Sequence, residues 1–478
     1  MKSLKKNYFY NVVYQLLLIA IPIITVPYTS RVLGAEKIGI YSFTYSIVYY
    51  FMLFALLGMN NHGNREIAKV REDKTKLSRT FWNIYAVQLI ASLIAIVGYL
   101  LYLGFFANEF KNIAWIQGLS LLSAVFDINW FFYGLEEFKV TVVRSAIVKV
   151  LSLACIFVFV RTADDLPIYT IIMAGGMLLS QLVLLPFASK YIELVKPRWK
   201  EMKTHMIRSL VLFIPVVSIS LYTIMDKIML GVMSNVTEVG YYNQAERMIS
   251  IPMALITSIG TVMMPRMSNL VAKNNRVQIM KYMEKSVGAM ALMTVPMMFG
   301  MIAIAQAFIP LFLGPGFEKS VVILILLATV MMFKGMGNVL RVQYMTPHRM
   351  DKEYVYITII GALVNLAVNL LLISQYSSIG ACIGTIVAET AVIVTMCLFL
   401  KKKLPISKYL KICGKYMWKG IVMFIVILPF NFVPGLGNVE KVVLEVGLGV
   451  VVYGVLNLRE IKEMIEFEKL KGKIRIRK

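Results

Sequence analysis

The sequence predicts an all-α protein that crosses a membrane many times. Of its 478 residues, 59% are hydrophobic and only 16% are charged, and its mean hydropathy of +0.72 lies far above that of soluble chains. The apolar runs are long and continuous and do not alternate with period two, which favours helices over barrel strands. A bilayer core needs about 20 apolar residues per helix. Fourteen such segments are predicted, at residues 8–30, 38–61, 81–106, 113–134, 144–161, 167–189, 209–233, 240–265, 286–313, 319–343, 354–374, 379–400, 417–433 and 440–457.

The positions of lysine and arginine predict how these helices are oriented. The net charge is +24, and if the N-terminus is cytoplasmic, most of the 50 basic residues fall in cytoplasmic segments and few in outer connections. An excess of lysine and arginine is typical of the cytoplasmic loops of membrane proteins. It predicts that both termini lie in the cytoplasm, and that the basic residues contact anionic lipids of the inner leaflet and not nucleic acid. The first segment is too long for a signal peptide and is expected to remain as an anchor.

Catalytic, metal-binding and nucleotide-binding motifs are not evident in the sequence. The four cysteines are scattered without paired or metal-ligand spacing, and the three histidines form no zinc motif. No glycine-rich phosphate loop precedes a Lys-Ser or Lys-Thr pair, so the chain is not expected to hydrolyse ATP. These observations predict a protein that is not an enzyme and has no metal or organic cofactor.

A short phrase occurs twice, nearly two hundred residues apart. "LGAEKIGIY" at residues 33–41 matches "LGVMSNVTEVGYY" at residues 230–242. A glycine that ends a helix explains each copy singly, whereas an internal duplication explains why both occur at corresponding helices. We therefore predict a parallel repeat of six helices. It comprises an N-terminal lobe at 1–208 and a C-terminal lobe at 209–400, followed at 401–478 by a basic connector, helices 13 and 14 and a cytoplasmic basic tail.

The segment "SRVLGAEKIGIYSFTYSIVYYFMLFALLGMNNHGNREIA" at residues 30–68 resembles the first two helices of the polysaccharide repeat-unit flippases. These proteins, of the O-antigen and capsule type, belong to the multidrug/oligosaccharidyl-lipid/polysaccharide exporter superfamily. Residues 230–248 are similar to their seventh and eighth helices.

The resemblance implies a transporter of a bacterial or archaeal cytoplasmic membrane. It would flip undecaprenyl-diphosphate-linked oligosaccharides from the inner to the outer leaflet by alternating access, for synthesis of O-antigen, capsule or exopolysaccharide. The resemblance also implies two lobes in a V around a central cavity, with helices 13 and 14 forming a lipid-facing groove. The implied partners are the lipid-linked substrate, membrane lipids and other membrane proteins of polysaccharide assembly.

Four basic residues inside or at the ends of predicted helices are candidates for binding the diphosphate. They are Arg31, Lys227, Arg247 and Lys334. A charge in the hydrocarbon region costs a few kcal/mol, so it usually faces protein, water or a partner. Arginine and lysine suit phosphate, and the four residues are predicted to form a cationic track. The alternative is that cross-helix ion pairs neutralise them, or that Arg31 extends to the interface.

Three further arginines lie at cytoplasmic helix ends. Arg65, Arg266 and Arg341 are interpreted either as ordinary anchors on the inner side or as the first groups to meet the incoming diphosphate. Three acids, Asp127, Asp226 and Glu389, lie in predicted helices and are candidates for coupling to Na⁺ or H⁺. Their alternative role is a hydrogen-bonded contact that fixes helix packing.

Two other transporters, one class of enzyme and a non-transporting scaffold are alternatives to this function. The scaffold is distinguished from a transporter only by a transport measurement. A lipid II flippase shares the helix number and the cationic cavity. A drug or metabolite antiporter of the same superfamily typically has twelve helices and a more acidic chamber, which the two extra helices and the excess of cations disfavour. A membrane polymerase or ligase needs a sizeable outer loop for catalytic groups, and the predicted outer connections are short.

Overall fold

The structure, a computed structural model, describes residues 2–107 and 109–462, and within these ranges it contains helices and connections but no β-strand. The predicted all-α class is therefore confirmed. Most of the predicted basic tail lies outside the described residues. The α-helices are α1 Lys2–Leu56, α2 Met59–Val70, α3 Lys74–Phe105, α4 Lys111–Val125, α5 Asn129–Gly134, α6 Phe138–Phe159, α7 Leu166–Leu182, α8 Leu185–Ala188, α9 Trp199–Thr223, α10 Met225–Met233, α11 Val236–Ala272, α12 Arg276–Leu313, α13 Lys319–Leu340, α14 Asp351–Leu400, α15 Ile406–Ile427 and α16 Asn438–Leu456.

Two very long helices each contain one non-helical residue. Gly34 interrupts α1 with φ 73° and ψ 173°, and Ser377 interrupts α14 with φ 51° and ψ −129°. A 50-residue helix is about 75 Å long, more than twice a bilayer core, so each provides two crossings. The connections predicted at 31–37 and 375–378 are single-residue breaks. Positive φ is strained for serine but accessible to glycine.

The number of possible membrane crossings is consistent with the fourteen that were predicted. Ten helical stretches among the described residues are long and apolar enough to span a membrane. Two of them contain the breaks and are long enough to cross twice. The remaining predicted segments coincide with α4 and α5 together and with α16. The chain is therefore a multi-pass membrane protein.

Several helices start earlier than the sequence predicted. Helix α9 begins at Trp199 and not at residue 209, and α15 begins at Ile406 and not at residue 417. The added turns contain lysines and other polar residues. Hydropathy detects only the part of a helix that lies in hydrocarbon, so it misses helical turns in the interfacial region.

The described chain divides into two compact units. The first compact unit comprises residues 1–244, 313–316 and 358–384, and the second comprises 245–312, 317–357 and 385–478. Helices α1 to α10 lie in the first unit, and α12, α15 and α16 lie in the second, apart from the last residue of α12. The lobes at 1–208 and 209–400 stay a prediction.

In the first compact unit the two copies of the repeated phrase contact each other. Gly39 lies against the backbone of Val236, where a Cβ would overlap the carbonyl oxygen, and Gly240 lies against Ala35 in the same way. Small residues allow helix backbones to approach this closely. The recurrence of glycine in the two phrases therefore has a physical reason, which is a reciprocal close contact between α1 and the start of α11.

In the second compact unit, an ion cluster joins α15 to the residues that follow α16. Glu460 accepts hydrogen bonds at 2.7 Å from Lys415 and Lys419, and Lys419 also donates to Asn457 at 3.1 Å. Burial of the Glu460 carboxyl opposes its ionisation, but the two ammonium groups outweigh that effect and lower its pKa to about 2. The charged carboxylate therefore stabilises the contact between the two helices.

We expect this contribution to depend on pH with a definite sign. Because the folded pKa lies below the unfolded value of 4.5, the stabilisation is fully present above pH 4.5 and is lost as the pH falls towards 2. The thermal midpoint of the purified protein, compared with that of Glu460→Gln, should differ at pH 7 and converge as the solution is acidified. Equal midpoints at pH 7 would contradict the assignment.

Candidate transport site

Asp226 is the centre of a buried polar cluster in the first compact unit. Its side chain is 2% exposed, and it accepts hydrogen bonds from Tyr242 Oη at 2.9 Å and from Asn369 Nδ2 at 2.7 Å. Asn369 Nδ2 also lies 3.2 Å from Asn365 Oδ1. Among the described residues, Asn369 Oδ1 and Asn365 Nδ2 have no hydrogen-bond partner. Because carboxylate and amide oxygens are good ligands for hard cations, this cluster has suitable chemistry for binding a small cation or a proton.

A second group of polar contacts surrounds the break in α14. Glu238 is buried and accepts hydrogen bonds from the backbone N–H and the hydroxyl of Ser378. Ser234 Oγ donates to Ser377 Oγ at 2.9 Å. These contacts hold the strained left-handed residue in place, as is common for backbone strain near functional sites. Glu238 was not predicted as a site residue from the sequence.

The four predicted phosphate-binding cations are divided between the two compact units. Arg31 and Lys227 lie in the first unit, where Arg31 is exposed and donates to the Pro27 carbonyl at 3.4 Å and Lys227 is half-buried. Arg247 and Lys334 lie in the second unit and are half-buried. The cationic track stays a prediction.

Lys334 and Glu389, predicted for different roles, are partners. Lys334 Nζ lies 3.6 Å from Glu389 Oε1, and their side chains are 34% and 9% exposed. The pair joins α13 to the second half of α14. This is the cross-helix neutralisation that was considered as an alternative for the cations, although the lysine remains accessible enough to exchange its partner.

The three arginines that were predicted to lie at cytoplasmic helix ends are exposed, and two of them stack on tyrosines. Arg266 lies 4.3 Å from the ring centre of Tyr282, and Arg341 lies at the same distance from that of Tyr354. Arg65 is exposed on α2. Stacking on an aromatic ring orients a guanidinium without using its hydrogen-bond donors, so Arg266 and Arg341 can still bind an anion.

Asp127 belongs to a polar network in the first compact unit. Its Oδ1 accepts from the backbone N–H of Asn129 at 2.9 Å and from Asn129 Nδ2 at 2.7 Å. Arg144, only 7% exposed, donates to Asn129 Oδ1 at 3.0 Å, to Gln181 Oε1 at 3.2 Å and to the Ser180 carbonyl. The network links α5, α6 and α7, which is the packing role considered as an alternative for Asp127.

Arg144 was not recognised from the sequence. It is the first residue of the predicted segment 144–161, where a basic residue is ordinary, but α6 begins at Phe138 and carries Arg144 into the core of the unit. A signal was present, because apolar residues occur on both sides of Arg144 in "FKVTVVRSAIVKV". A basic residue inside an apolar helical run is buried more often than one in a loop.

Comparison with known proteins gives matches over most of the chain. It is 26% identical over 404 residues to a protein of Escherichia coli (strain K12) described as an O-antigen transporter, covering 84% of this chain and 97% of that protein. It is 22% identical over 237 residues to a Haloferax volcanii protein described as a low-salt glycan biosynthesis flippase, covering 50% of each.

Similar folds occur among solved transporters. The lipid II flippase MurJ in an inward closed conformation matches with a TM-score of 0.76 at 16% identity, covering 96% of this chain and 99% of that one. An inward-facing multidrug resistance transporter of the MATE family matches with a TM-score of 0.57 at 14% identity, covering 82% and 99%. Residues 4–271, more than half of the chain, match the family model for polysaccharide biosynthesis proteins. With its many membrane-spanning helices and a family model matched over more than half of its length, the chain belongs to the polysaccharide biosynthesis protein family.

Proposed function

We propose that this protein flips undecaprenyl-diphosphate-linked oligosaccharide repeat units across the cytoplasmic membrane for surface polysaccharide synthesis. The observation that carries this proposal is the match to the O-antigen transporter of Escherichia coli over 97% of that protein's length. The family match and the described glycan flippase of Haloferax volcanii point to the same substrate class. The charge asymmetry of the sequence supports cytoplasmic termini. Alternating access between the predicted six-helix lobes would move the substrate without a chemical reaction.

The substrate carries a diphosphate that must cross a layer of low dielectric constant. Fixed cations lower the energy of an anion in such surroundings. We propose that Arg31, Lys227, Arg247 and Lys334 contact the diphosphate during transport, with Glu389 holding Lys334 until the phosphate displaces it. The exposed Arg65, Arg266 and Arg341 would attract the headgroup at the cytoplasmic side.

Coupling to an ion would give the transport cycle its direction. Asp226 is the best placed of the three predicted acids, because buried amide groups surround its carboxylate and two of their polar atoms lack partners in the described residues. Asp127 and Glu389 instead join helices through Asn129 and Lys334. We propose that Asp226 binds Na⁺ or H⁺.

The deciding experiment is deletion of the gene, followed by identification of the lipid-linked sugars that accumulate. Loss of surface glycan with accumulation of a lipid-linked repeat unit on the inner leaflet is expected. Accumulation of lipid II would instead support the peptidoglycan precursor as substrate. Normal surface glycan and normal lipid pools, in a strain without a second exporter, would overturn both candidate substrates.

Rescue of the deletion strain tests the cations and the coupling acid. Alanine at Arg31, Lys227, Arg247 or Lys334 should each slow export roughly tenfold or more, because a hydrogen bond to a charged group contributes about 1.5–3 kcal/mol. Asp226→Asn should abolish stimulation by an ion gradient. Lys111→Ala, which removes an exposed lysine at the start of α4, is the matched control and should rescue fully. Full rescue by all four alanine variants would contradict the cationic track.

A further inference from the structure

Helix α16 carries a buried carboxyl group that lacks a hydrogen-bond partner among the described residues. Glu445 is 0% exposed, and neither of its carboxylate oxygens has a hydrogen-bond partner in the part of the chain that the structure describes. The opposite side of α16 exposes a row of valines suited to contact with lipid. They are Val439, Val443, Val446, Val450 and Val455. The glutamate therefore faces the protein and not the bilayer.

The neighbours of Glu445 can be located from contacts one turn away on either side. A Cβ on Gly449 would lie 3.6 Å from Met423 Sδ, and Lys441 Nζ donates to the Asn431 carbonyl at 2.8 Å. Glu445 thus lies where α16 packs on the end of α15. The residues opposite, "ILPFN" at 427–431, contain no ionisable side chain. Lys441 is the charged group closest along α16, and its ammonium group is engaged with that carbonyl.

The other acids discussed above differ from Glu445 in having partners. Asp226 is bonded to Tyr242 and Asn369, and Glu389 lies beside Lys334. A buried carboxylate without a cation or hydrogen-bond donors costs several kcal/mol. The core of a bilayer contains no water that could offset this cost. The neutral acid avoids most of the cost.

We infer that Glu445 is a protonated carboxylic acid and serves as a proton-binding site of the transporter. Its carboxylate takes up one proton from water when the α15–α16 contact is open, and the resulting acid is buried when the contact closes. Residues 445, 449, 453 and 457 share one face of α16 because they recur every fourth position. Tyr453 Oη on this face is also buried and without a partner among the described residues. Asn457 and Glu460 continue the face to the ion cluster described above.

Infrared spectroscopy tests the protonation directly, with the purified full-length protein. The spectrum of the wild type minus that of Glu445→Gln should show the C=O stretch of a protonated carboxyl at pH 7, and the band should disappear at high pH. Glu440→Gln is the matched control, because Glu440 is exposed on the same helix and its hydrogen bond to the Gly437 N–H can be made by glutamine. Absence of the band from the wild type at pH 7 would overturn the inference.

The role of Glu445 in transport rests on the proposed flippase function, whereas its protonation does not. In proteoliposomes, an imposed pH gradient should stimulate flipping of the lipid-linked oligosaccharide at least tenfold in the wild type and in Glu440→Gln, but not in Glu445→Gln. Equal stimulation of all three proteins would overturn the coupling role while leaving flipping established. If no protein flips the lipid, the proposed function fails, and the infrared band still reports whether Glu445 holds a proton.

Discussion

Replacing Gly240 by alanine should destabilise the first compact unit by about 3 kcal/mol or more. Overpacking of a core usually costs about 1–3 kcal/mol, and here the added Cβ would overlap the backbone carbonyl of Ala35, which cannot rotate away as a side chain can. Gly39→Ala should have a similar effect through the carbonyl of Val236. The measurement is the thermal midpoint of the protein in detergent, together with its abundance in the membrane.

The same substitution at a third glycine provides the control. Gly104 lies in α3, is exposed and has no atom within 4 Å of an added Cβ. Gly104→Ala should therefore leave stability unchanged or raise it by up to about 1 kcal/mol, because alanine favours helix. The double variant at Gly39 and Gly240 should lose less stability than the sum of the losses of the two single variants, because both substitutions disrupt the same contact. Wild-type midpoints for both single variants would contradict the reciprocal contact.

The sequence predicted the helices well because each crossing requires a long apolar run. It did not predict how neighbouring crossings are joined. At Gly34 and Ser377 the helix resumes after one residue, whereas hydropathy places a loop wherever polar residues interrupt an apolar run. The polar phrase at residues 33–41 does mark the break. Its Gly39 and the matching Gly240 of the second copy serve a helix contact that only the folded chain reveals.

The candidate site was predicted in part, because the cost of an intramembrane charge identifies residues but not their partners. Lys334 and Glu389 are 55 positions apart in the sequence and were assigned separate roles, yet they form a pair. Asp226 was recognised, whereas Asn365 and Asn369, which complete its surroundings, were not because they are uncharged. Arg144 and Glu445 were missed for another reason. Each occurs near other charges in the sequence, as residues of exposed segments do, and the apolar residues on both sides of it were not given enough weight.

Arg144→Met should lower the free energy of unfolding by about 3 kcal/mol, which would make it the most destabilising single change expected in α6. Methionine fills similar volume but takes away the donor that Arg144 provides to Asn129 Oδ1 and to the Ser180 carbonyl, and it leaves Gln181 Oε1 with Asn129 Nδ2 as its remaining donor. Each hydrogen bond to a charged group contributes about 1.5–3 kcal/mol, so the loss of these contacts together supports a cost of about 3 kcal/mol. Thermal unfolding of the purified variant gives the measurement.

Two companion variants separate the geometry of Arg144 from its charge. Arg144→Lys keeps the charge but loses the planar fork that reaches Asn129 and Gln181 together, so it should recover less than half of the loss. Lys139→Met removes a positive charge from an exposed position of the same helix and should change stability by no more than about 0.5 kcal/mol. If Arg144→Met and Lys139→Met have equal effects, the basic residue in α6 acts only through net charge. If Arg144→Met alone is destabilising, the network with Asn129 and Gln181 fixes the packing of α5, α6 and α7.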